Sequence, residues 1–270
     1  MTPEALRRLL ERVAATAARV GELPDEAEAG PPAGPIFRPV DGRTAGVVAD
    51  WVTPVAQRWA PELDLEPLEL GRVLAKRLVD HDSIAAVEVA PSGLLSLTLA
   101  NADRSAIIDE VLEHEATYGL PPGQRVPVVG LDGHRADLPA WLGSEPALRP
   151  AQLAHARLHR LIRNARAAGV AIRPSDRRED LGHVAERLLL VALADFPQRM
   201  DRHAGDRSQQ VRAVGDLAAR ADAWDQPIRP MSVDERVTGI HGARLALAAA
   251  AAIVLRNGLT RLGAPAPERM

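Results

Sequence analysis

An apolar, alanine-rich run near the C-terminus, Leu245 to Leu255, constrains the fold of this chain more than any other feature. The run is shorter than the about 20 residues that a helix needs to cross a bilayer, so we do not predict a membrane anchor. Alanine has the highest helix propensity and lets neighbouring helices approach closely. The run therefore predicts a core helix of a helical bundle, which Pro265 and Pro267 stop.

Size and composition set the broad class of the protein. The chain has 270 residues, of which 46% are hydrophobic, enough to build one large or two ordinary globular domains. It contains no cysteine, which excludes disulfides, thiol nucleophiles and thiolate metal sites. The N-terminus has no signal-peptide pattern, so we expect a cytoplasmic protein without a membrane partner.

The charge is divided unevenly between the two halves of the chain. Residues 149–270 contain 20 arginines against 13 acidic residues, a balance of +7, whereas residues 1–148 contain 13 basic against 23 acidic residues, a balance of −10. Such an asymmetry is typical of a chain whose basic half meets a polyanion. A solvated, arginine-rich surface without a partner is the alternative interpretation.

The hydrophobic pattern of the first part of the chain mixes helical and alternating segments. Val87 and Leu95 belong to two alternating runs separated by a Pro-Ser-Gly turn, the pattern of a β-hairpin. The pattern predicts an α+β domain over residues 1–118, followed by a linker over 119–149. The predicted elements are helices at 3–20, 44–60, 66–79 and 103–118, an edge strand at 35–39, and hairpin strands at 84–90 and 94–99.

Everything after the linker has helical periodicity. Glycines and prolines interrupt it at short intervals, which is typical of a helical bundle with short connections. We therefore expect an all-α domain over residues 150–270 and a chain that is mainly α overall. The predicted helices span 151–168, 176–194, 196–204, 207–225 and 235–262.

The first helix of this bundle carries two candidate kinds of site. Apolar residues, among them Leu158 and Ile162, follow one face, and we expect the polar residues to project from the rest of the helix. His155 and His159 have the i, i+4 spacing of a zinc-binding pair, but Ala156 occupies the place of the general-base glutamate. We expect no metal here. The projecting residues are predicted to be Gln152, His155, His159, Arg160 and Arg163.

Two motifs at opposite ends of the bundle carry a family resemblance. Gln-Leu-Ala-His-Ala-Arg, from Gln152 to Arg157, resembles the Gln-Tyr-Ala-His-Ala-Arg sequence that opens the anticodon-binding bundle of arginyl-tRNA synthetases. The final helix and the terminal Ala-Pro-Glu-Arg-Met, ending at Met270, resemble the end of the same family. The resemblance implies that residues 150–270 form a DALR-type anticodon-binding bundle.

The first part of the chain resembles the additional N-terminal domain of these synthetases. The segment from Val87 to Leu95 is similar to that domain's Val-x-Ala-Gly-Pro-Gly-Phe-Ile-Asn, with Pro-Ser-Gly in place of its centre. The catalytic domain of the family lies between these two parts, where this chain has a linker. One lysine, Lys76, excludes a Lys-Met-Ser-Lys signature, and no His-x-Gly-His occurs. We therefore predict a relative that does not catalyse aminoacylation and needs no cofactor.

The resemblance implies that the bundle binds tRNA, with arginine tRNA as one candidate and another enzyme acting in trans as a possible partner. Stacked bases and arginine–phosphate pairs are the chemistry of such recognition. Leu153 departs from the family tyrosine, which removes one base contact. The residues predicted to bind tRNA are Gln152, His155, Arg157, Arg160, Arg163, Trp224, Arg244, Arg256, Asn257 and Met270, with Arg261 beside them on the last helix.

Two alternative functions belong to other classes. One is a protein-interaction module that kept the fold and lost RNA binding, which the acidic N-terminal half and the 3% aromatic content favour. The other is an enzyme with a metal site built from Asp132, His134 and Asp137 of the linker together with the histidine pair. Polar loop residues without a shared function are the simpler interpretation of that set.

Overall fold

The structure, a computed structural model, describes residues 1–40, 49–126, 145–232 and 234–270 and divides the chain into two compact units. The first unit is Met1–Arg104 and the second is Ser105–Met270. The sequence prediction placed the end of the first domain at residue 118. The division comes earlier because the helix at 107–113 packs against the last helix of the second unit.

The first unit combines four short strands with helices. Its first helix begins where the Thr2 hydroxyl accepts a hydrogen bond from the Ala5 amide, with Pro3 in the first turn. Leu6, Leu9 and Leu10 on its apolar face are buried. The elements are α1 (Pro3–Arg19), β1 (Arg38–Pro39), β2 (Trp51–Thr53), α2 (Val55–Trp59), α3 (Pro67–Val79), β3 (Ile84–Val89), β4 (Leu95–Leu99) and α4 (Asn101–Ser105), which crosses into the second unit.

The four strands form one antiparallel sheet in the order β1-β2-β4-β3. The predicted hairpin is confirmed as β3 and β4, and the predicted edge strand is confirmed as β1. Gly93 turns the hairpin with a φ of 82°, and a β-carbon at this position would lie 2.6 Å from the Pro67 carbonyl oxygen. Only glycine combines this backbone conformation with so close an approach.

The predicted helix at 44–60 is wrong over residues 49–54 and is confirmed over Val55–Trp59. Trp51–Thr53 forms β2, and a helix begins only at Val55. Pro54 explains the boundary, because the residue before a proline is driven to extended backbone. Residues 44–48 lie outside the described residues. Trp51 is buried, as an apolar residue on the inner face of a strand or of a helix would be, so its hydrophobicity did not distinguish the two elements.

The second unit is all-helical in its described residues, as the sequence predicted. Its helix α9 is buried on almost every side by α6, α7, α8 and α5. Gly258 makes this packing possible, because a β-carbon there would lie 2.7 Å from Phe196 Cζ. The helices are α5 (Ile107–Glu113), α6 (Arg149–Ala167), α7 (Val184–Arg202), α8 (Arg207–Ala223) and α9 (Gly239–Arg261).

Helix α9 is also the one helix within the described ranges that is long and apolar enough to span a membrane by length and composition. Within its most apolar window, 78% of the residues are buried inside the protein. A core helix of a bundle has the same composition, since neither kind of helix needs a polar face.

The predicted single helix at 103–118 is wrong, because α4 ends at Ser105 and α5 spans only Ile107–Glu113. Helix α7 corrects a third prediction. The sequence placed two helices at 176–194 and 196–204, yet one helix runs from Val184 to Arg202 with Pro197 inside it. A proline cannot donate to the carbonyl four residues before it, here that of Leu193. The Tyr118 hydroxyl donates to the Leu193 oxygen at 2.8 Å and takes the place of the missing amide. Burial raises the pKa of Tyr118, so the hydroxyl keeps the proton that it donates.

Candidate nucleic-acid interface

The structure brings the two family-like motifs into contact, because the C-terminal tail lies along α6. The tail is held through its backbone carbonyl groups, which accept hydrogen bonds from α6. Three side chains of α6 make these bonds: Gln152 Nε2 donates to Pro265 O at 3.0 Å, His155 Nδ1 donates to Pro267 O at 2.7 Å, and Arg163 Nη1 donates to Glu268 O at 3.3 Å.

The prediction that Gln152, His155 and His159 project from the bundle is wrong. All three are buried. The amphipathic pattern assigned them to the polar side of α6 because it could not foresee that the tail would cover that side. Gln152 and His155 therefore position the tail in this structure.

Two buried imidazoles lie side by side on this face. The ring centroids of His155 and His159 are 4.5 Å apart. Burial, with His159 as the second cause, lowers the pKa of His155 to about 3. His155 is therefore neutral near pH 7, and its buried Nε2 has no hydrogen-bond partner within the described residues. A neutral, enclosed ring offers no positive charge to a phosphate.

The described residues contain no group of three or more His, Asp or Glu side chains that would hold a metal ion. The histidine pair thus lacks a third ligand among them. Asp132, His134 and Asp137, the other members of the metal-site alternative, lie outside the described residues.

Arg157 and Trp224 are in direct contact through the Trp224 main chain. Arg157 Nη1 donates to Ala221 O at 2.9 Å, and Nη2 donates to Trp224 O at 3.0 Å. The guanidinium thus satisfies two carbonyl groups at the C-terminal end of α8, where helix carbonyls lack amide partners. The Trp224 side chain is 1% exposed, and its Nε1 has no partner within the described residues. In this structure the indole is part of the core.

The predicted residues of α9 are all engaged inside the second unit. Arg244 Nε pairs at 2.8 Å with Glu186, a carboxylate that is itself fully buried. Because α9 is buried on almost every side, its arginines lie next to carboxylate and carbonyl groups that accept their hydrogen bonds. The remaining contacts are Arg256 with the side chain and carbonyl of Glu115, Asn257 with the carbonyls of Glu115 and Tyr118, and Arg261 with Gly119 O and Asp201.

A different row of α6 side chains faces solvent. Leu153 is 50% exposed, and Arg160 is exposed without a hydrogen bond or ion pair to any described residue. Arg157 belongs to the row with a side chain that is 27% exposed. We call this row the α6 stripe, and it consists of Arg149, Leu153, Arg157, Arg160 and Asn164.

The sequence prediction missed two members of the α6 stripe, Arg149 and Asn164. The helical spacing contained the signal for both residues. Arg149 lies four residues before Leu153 and Asn164 lies four residues after Arg160, which places them on the same helix face. Arg149 also makes no hydrogen bond or ion pair within the described part of the chain. Met270, a predicted residue, is 53% exposed at the end of the tail.

A family model matches the part of the chain that contains these features. Residues 151–270 match the model described as DALR anticodon binding domain. The α6 stripe, the tail and the buried α9 all lie within or at the edge of this match. Residues 151–270 are therefore similar to the DALR anticodon-binding domains, as the two motifs indicated.

The relatives of this part are arginine–tRNA ligases. The ligase of Bifidobacterium animalis subsp. lactis (strain AD011) is 34% identical over 127 residues, which cover 44% of this chain and 20% of the ligase. That of Bifidobacterium longum (strain DJO10A) is 36% identical over 117 residues, covering 42% of this chain and 18% of the ligase. The chain thus spans about a fifth of the length of these relatives.

One solved structure is similar in part. Thermus thermophilus arginyl-tRNA synthetase aligns with 63% of this chain and 31% of that chain, at 23% sequence identity and a TM-score of 0.37. The resemblance of residues 1–118 to the N-terminal domain of the synthetases stays a prediction.

Proposed function

We propose that the chain binds tRNA through its C-terminal unit and that the anticodon stem-loop lies on the α6 stripe beside the tail. The observation that carries the proposal is a pair of exposed arginines, Arg149 and Arg160, without a described partner in a unit that matches an anticodon-binding domain. Phosphates are the natural partners of such guanidinium groups.

The position of Arg149 supports an anionic ligand. It is the first residue of α6, where the helix dipole disfavours a cation. A phosphate near this point interacts favourably with both the guanidinium and the helix end. The stripe also offers Leu153, and the tail offers Met270, as apolar surface against an unstacked base.

The structure leads us to assign different roles to the ten predicted residues. Arg157, Arg160 and Met270 contact RNA in the proposal. Gln152, His155 and Arg163 position the tail from beneath. Arg244, Arg256 and Asn257 hold the bundle together and do not contact RNA. Trp224 is treated separately below.

The proposed role does not include aminoacylation by this chain. A single lysine, Lys76 on α3, leaves no Lys-Met-Ser-Lys motif in the sequence. Binding by stacking and charge needs no titrating group and no cofactor. We propose that the protein sequesters, presents or senses tRNA, with another enzyme supplying chemistry in trans. Arginine tRNA is the first candidate ligand, because the relatives are arginine–tRNA ligases.

Fluorescence anisotropy at several salt concentrations tests the proposal, with arginine tRNA, its anticodon stem-loop and an unstructured RNA of equal length as ligands. The two folded RNAs are expected to bind at least tenfold more tightly than the unstructured RNA near physiological salt. Arg160→Gln is expected to weaken binding and to lower the slope of log K against log salt by about 1. Equal affinity for all three RNAs contradicts the proposal.

Arg212→Gln is the matched control for that variant. Arg212 is an exposed arginine on α8 that makes no hydrogen bond or ion pair to a described residue, and it lies outside the α6 stripe. Its removal changes the net charge by the same amount and is expected to leave the salt slope unchanged. An equal loss in both variants would mean that the attraction comes from net charge alone.

A protein-interaction module is the second candidate, and one observation favours it. Most cations predicted to bind RNA are engaged internally, and the predicted stacking residue Trp224 is buried. This candidate predicts a stoichiometric protein complex that survives ribonuclease, and no specific tRNA binding. The anisotropy measurement and a ribonuclease-treated purification together distinguish the two functions.

A further inference from the structure

Arg157 belongs to two structural contexts at once. It lies on the α6 stripe between Leu153 and Arg160, with part of its side chain open to solvent. The same guanidinium donates to Ala221 O and Trp224 O, and its Nη1 lies 3.8 Å from Asp222 Oδ1. A ligand phosphate on the stripe therefore lies within the reach of an arginine that now holds the end of α8.

Trp224 occupies its present position at a cost. The indole is buried, yet its Nε1–H has no acceptor within the described residues. A buried donor without a partner loses the hydrogen bond that water would give it. The hydrophobic burial of the ring favours the present position, and the unpaired donor opposes it.

The segment around Trp224 is short and fixed at both ends. On one side, Ala221 is buried in the body of α8. On the other side, Arg244 donates to Pro227 O at 3.2 Å and to Gln226 Oε1 at 3.3 Å while it pairs with buried Glu186. Between these two points, Asp222, Ala223 and Asp225 are exposed. Residues 222–225 are the last two residues of α8 and the two that follow it, so they can change conformation while the rest of α8 and α9 stay in place.

We propose that an RNA phosphate on the α6 stripe takes Arg157 away from the two carbonyl groups, and that this releases Trp224 to stack on a base. The inference rests on the proposed function and adds the conformational step by which the site is completed. A phosphate is a charged acceptor and binds a guanidinium more strongly than a neutral carbonyl does. The Asp222 carboxylate also attracts Arg157, but it is 3.8 Å away and 48% exposed, so solvent screens this ion pair. The two released carbonyl groups lie beside exposed residues, where water replaces the guanidinium.

The proposal accounts for the composition of the site. The α6 stripe contains no aromatic residue, and Leu153 stands where the related motif has tyrosine. Recognition of unstacked bases usually involves an aromatic plane. Trp224 is an aromatic residue whose backbone is bonded to the stripe, through Arg157. Its release supplies the plane that the stripe lacks.

Hydrogen–deuterium exchange of the full chain tests the release, with and without a saturating anticodon stem-loop. The amides of residues 222–225 are expected to exchange at least tenfold faster in the complex, whereas those of α6 are expected to slow. A ligand that merely adds contacts slows exchange everywhere, so opposite changes in adjacent segments are specific to this mechanism. Tight binding with unchanged or slower exchange at 222–225 overturns the release and leaves the proposed function standing.

The ring itself is followed with 5-fluorotryptophan. The chain has four tryptophans, and the ¹⁹F resonance of Trp224 is assigned with Trp224→Phe. This resonance is expected to shift on RNA addition, and Trp224→Leu is expected to weaken RNA binding about tenfold, the loss of one stacked base. An unmoved resonance, or equal affinity of Trp224→Leu, counts against the stacking role.

Two arginine variants separate the exchange of partners from simple charge. Arg157→Gln is expected to show fast exchange at residues 222–225 without RNA and no further response to it. Arg149→Gln removes a charge from the same stripe but has no bond to α8 among the described contacts, and it is expected to keep the full response. Slow exchange in RNA-free Arg157→Gln contradicts the proposal. Absence of RNA binding by the wild-type chain contradicts the proposed function as well.

Discussion

Helices α6 and α9 both carry several arginines, yet two of the arginines on α6 have an environment opposite to that of the arginines on α9. Arg149 and Arg160 of α6 face solvent without a described partner, whereas Arg244 of α9 pairs with a buried carboxylate and Arg256 pairs with Glu115. The comparison teaches that the neighbours of a helix decide what its arginines do. An arginine on an enclosed helix stabilises the fold, and one on a peripheral helix is available to a ligand.

Removal of the Arg244 side chain is expected to have the largest effect on stability. Arg244→Ala leaves the Glu186 carboxylate buried without its cation, which costs about 3–5 kcal/mol of the free energy of unfolding. Urea denaturation followed by circular dichroism measures the change, with Arg212→Ala as the surface control. A loss below about 1 kcal/mol would show that Glu186 and Arg244 are not coupled as described.

Acidification is expected to have the next largest effect, through His155 on the covered side of α6. Its pKa is about 3 in the folded chain because of burial, and about 6.5 is ordinary for an unfolded chain. As the pH falls from about 6.5 toward 3, the unfolded state takes up a proton that the folded state does not. The stabilisation present above pH 6.5 is therefore lost progressively in this window.

The loss between pH 7 and pH 5 is expected to be about 2 kcal/mol larger in the wild type than in His155→Asn. Asparagine keeps an N–H for the Pro267 carbonyl but does not titrate in this range. Equal pH dependence of the two proteins, measured by urea denaturation at both pH values, would mean that the imidazole is solvated in the folded chain.

Gly258 tests how closely α9 is enclosed. Gly258→Ala places a methyl group 2.7 Å from Phe196 Cζ and 3.1 Å from Val214 Cγ2, and we expect a loss of about 1–2 kcal/mol despite the better helix propensity of alanine. Gly215→Ala on α8 is the matched control, because its new methyl meets nothing within 4 Å. That variant is expected to gain up to about 1 kcal/mol. Thermal denaturation of both variants decides whether packing or propensity dominates.

The smallest effect on stability is expected on the α6 stripe. Arg160→Gln breaks no described contact and is expected to change the free energy of unfolding by less than about 0.5 kcal/mol. The same variant is expected to weaken RNA binding, so it separates affinity from stability. A destabilisation above about 1 kcal/mol would place Arg160 with the arginines of α9.

The sequence predicted the fold well wherever periodicity was long and undisturbed. The hairpin, α3, α6 and α8 follow the predicted segments, since their patterns repeat over several turns or strand residues. Two of the errors involve prolines, one with a local effect and one with a tertiary effect. Pro54 starts a helix later than expected, and Pro197 stays inside α7 because Tyr118 compensates for it.

The candidate site was less predictable than the fold. Charge and motif indicated α6, and Arg160 and Met270 are accessible as expected. The burial of Trp224 and of His155 depends on a helix end and a tail that pack against α6 from far along the chain. The residue pattern of one helix carries no information about such distant neighbours, so periodicity alone could not predict that these two side chains are buried.

The Tyr118 phenol donates to the Leu193 carbonyl, 75 residues along the chain, which Pro197 leaves without its helical amide partner. Tyr118 and Pro197 therefore form a matched pair. The phenol substitutes for a peptide amide. A proline inside the helix is therefore tolerated because of the tyrosine, and the buried hydroxyl has an acceptor because of the proline. Restoring the amide with alanine at 197 would make the phenol dispensable, so the two changes should be less harmful together than their separate costs suggest. During evolution, joint replacement of Tyr118 and Pro197 should therefore be tolerated better than replacement of Tyr118 alone.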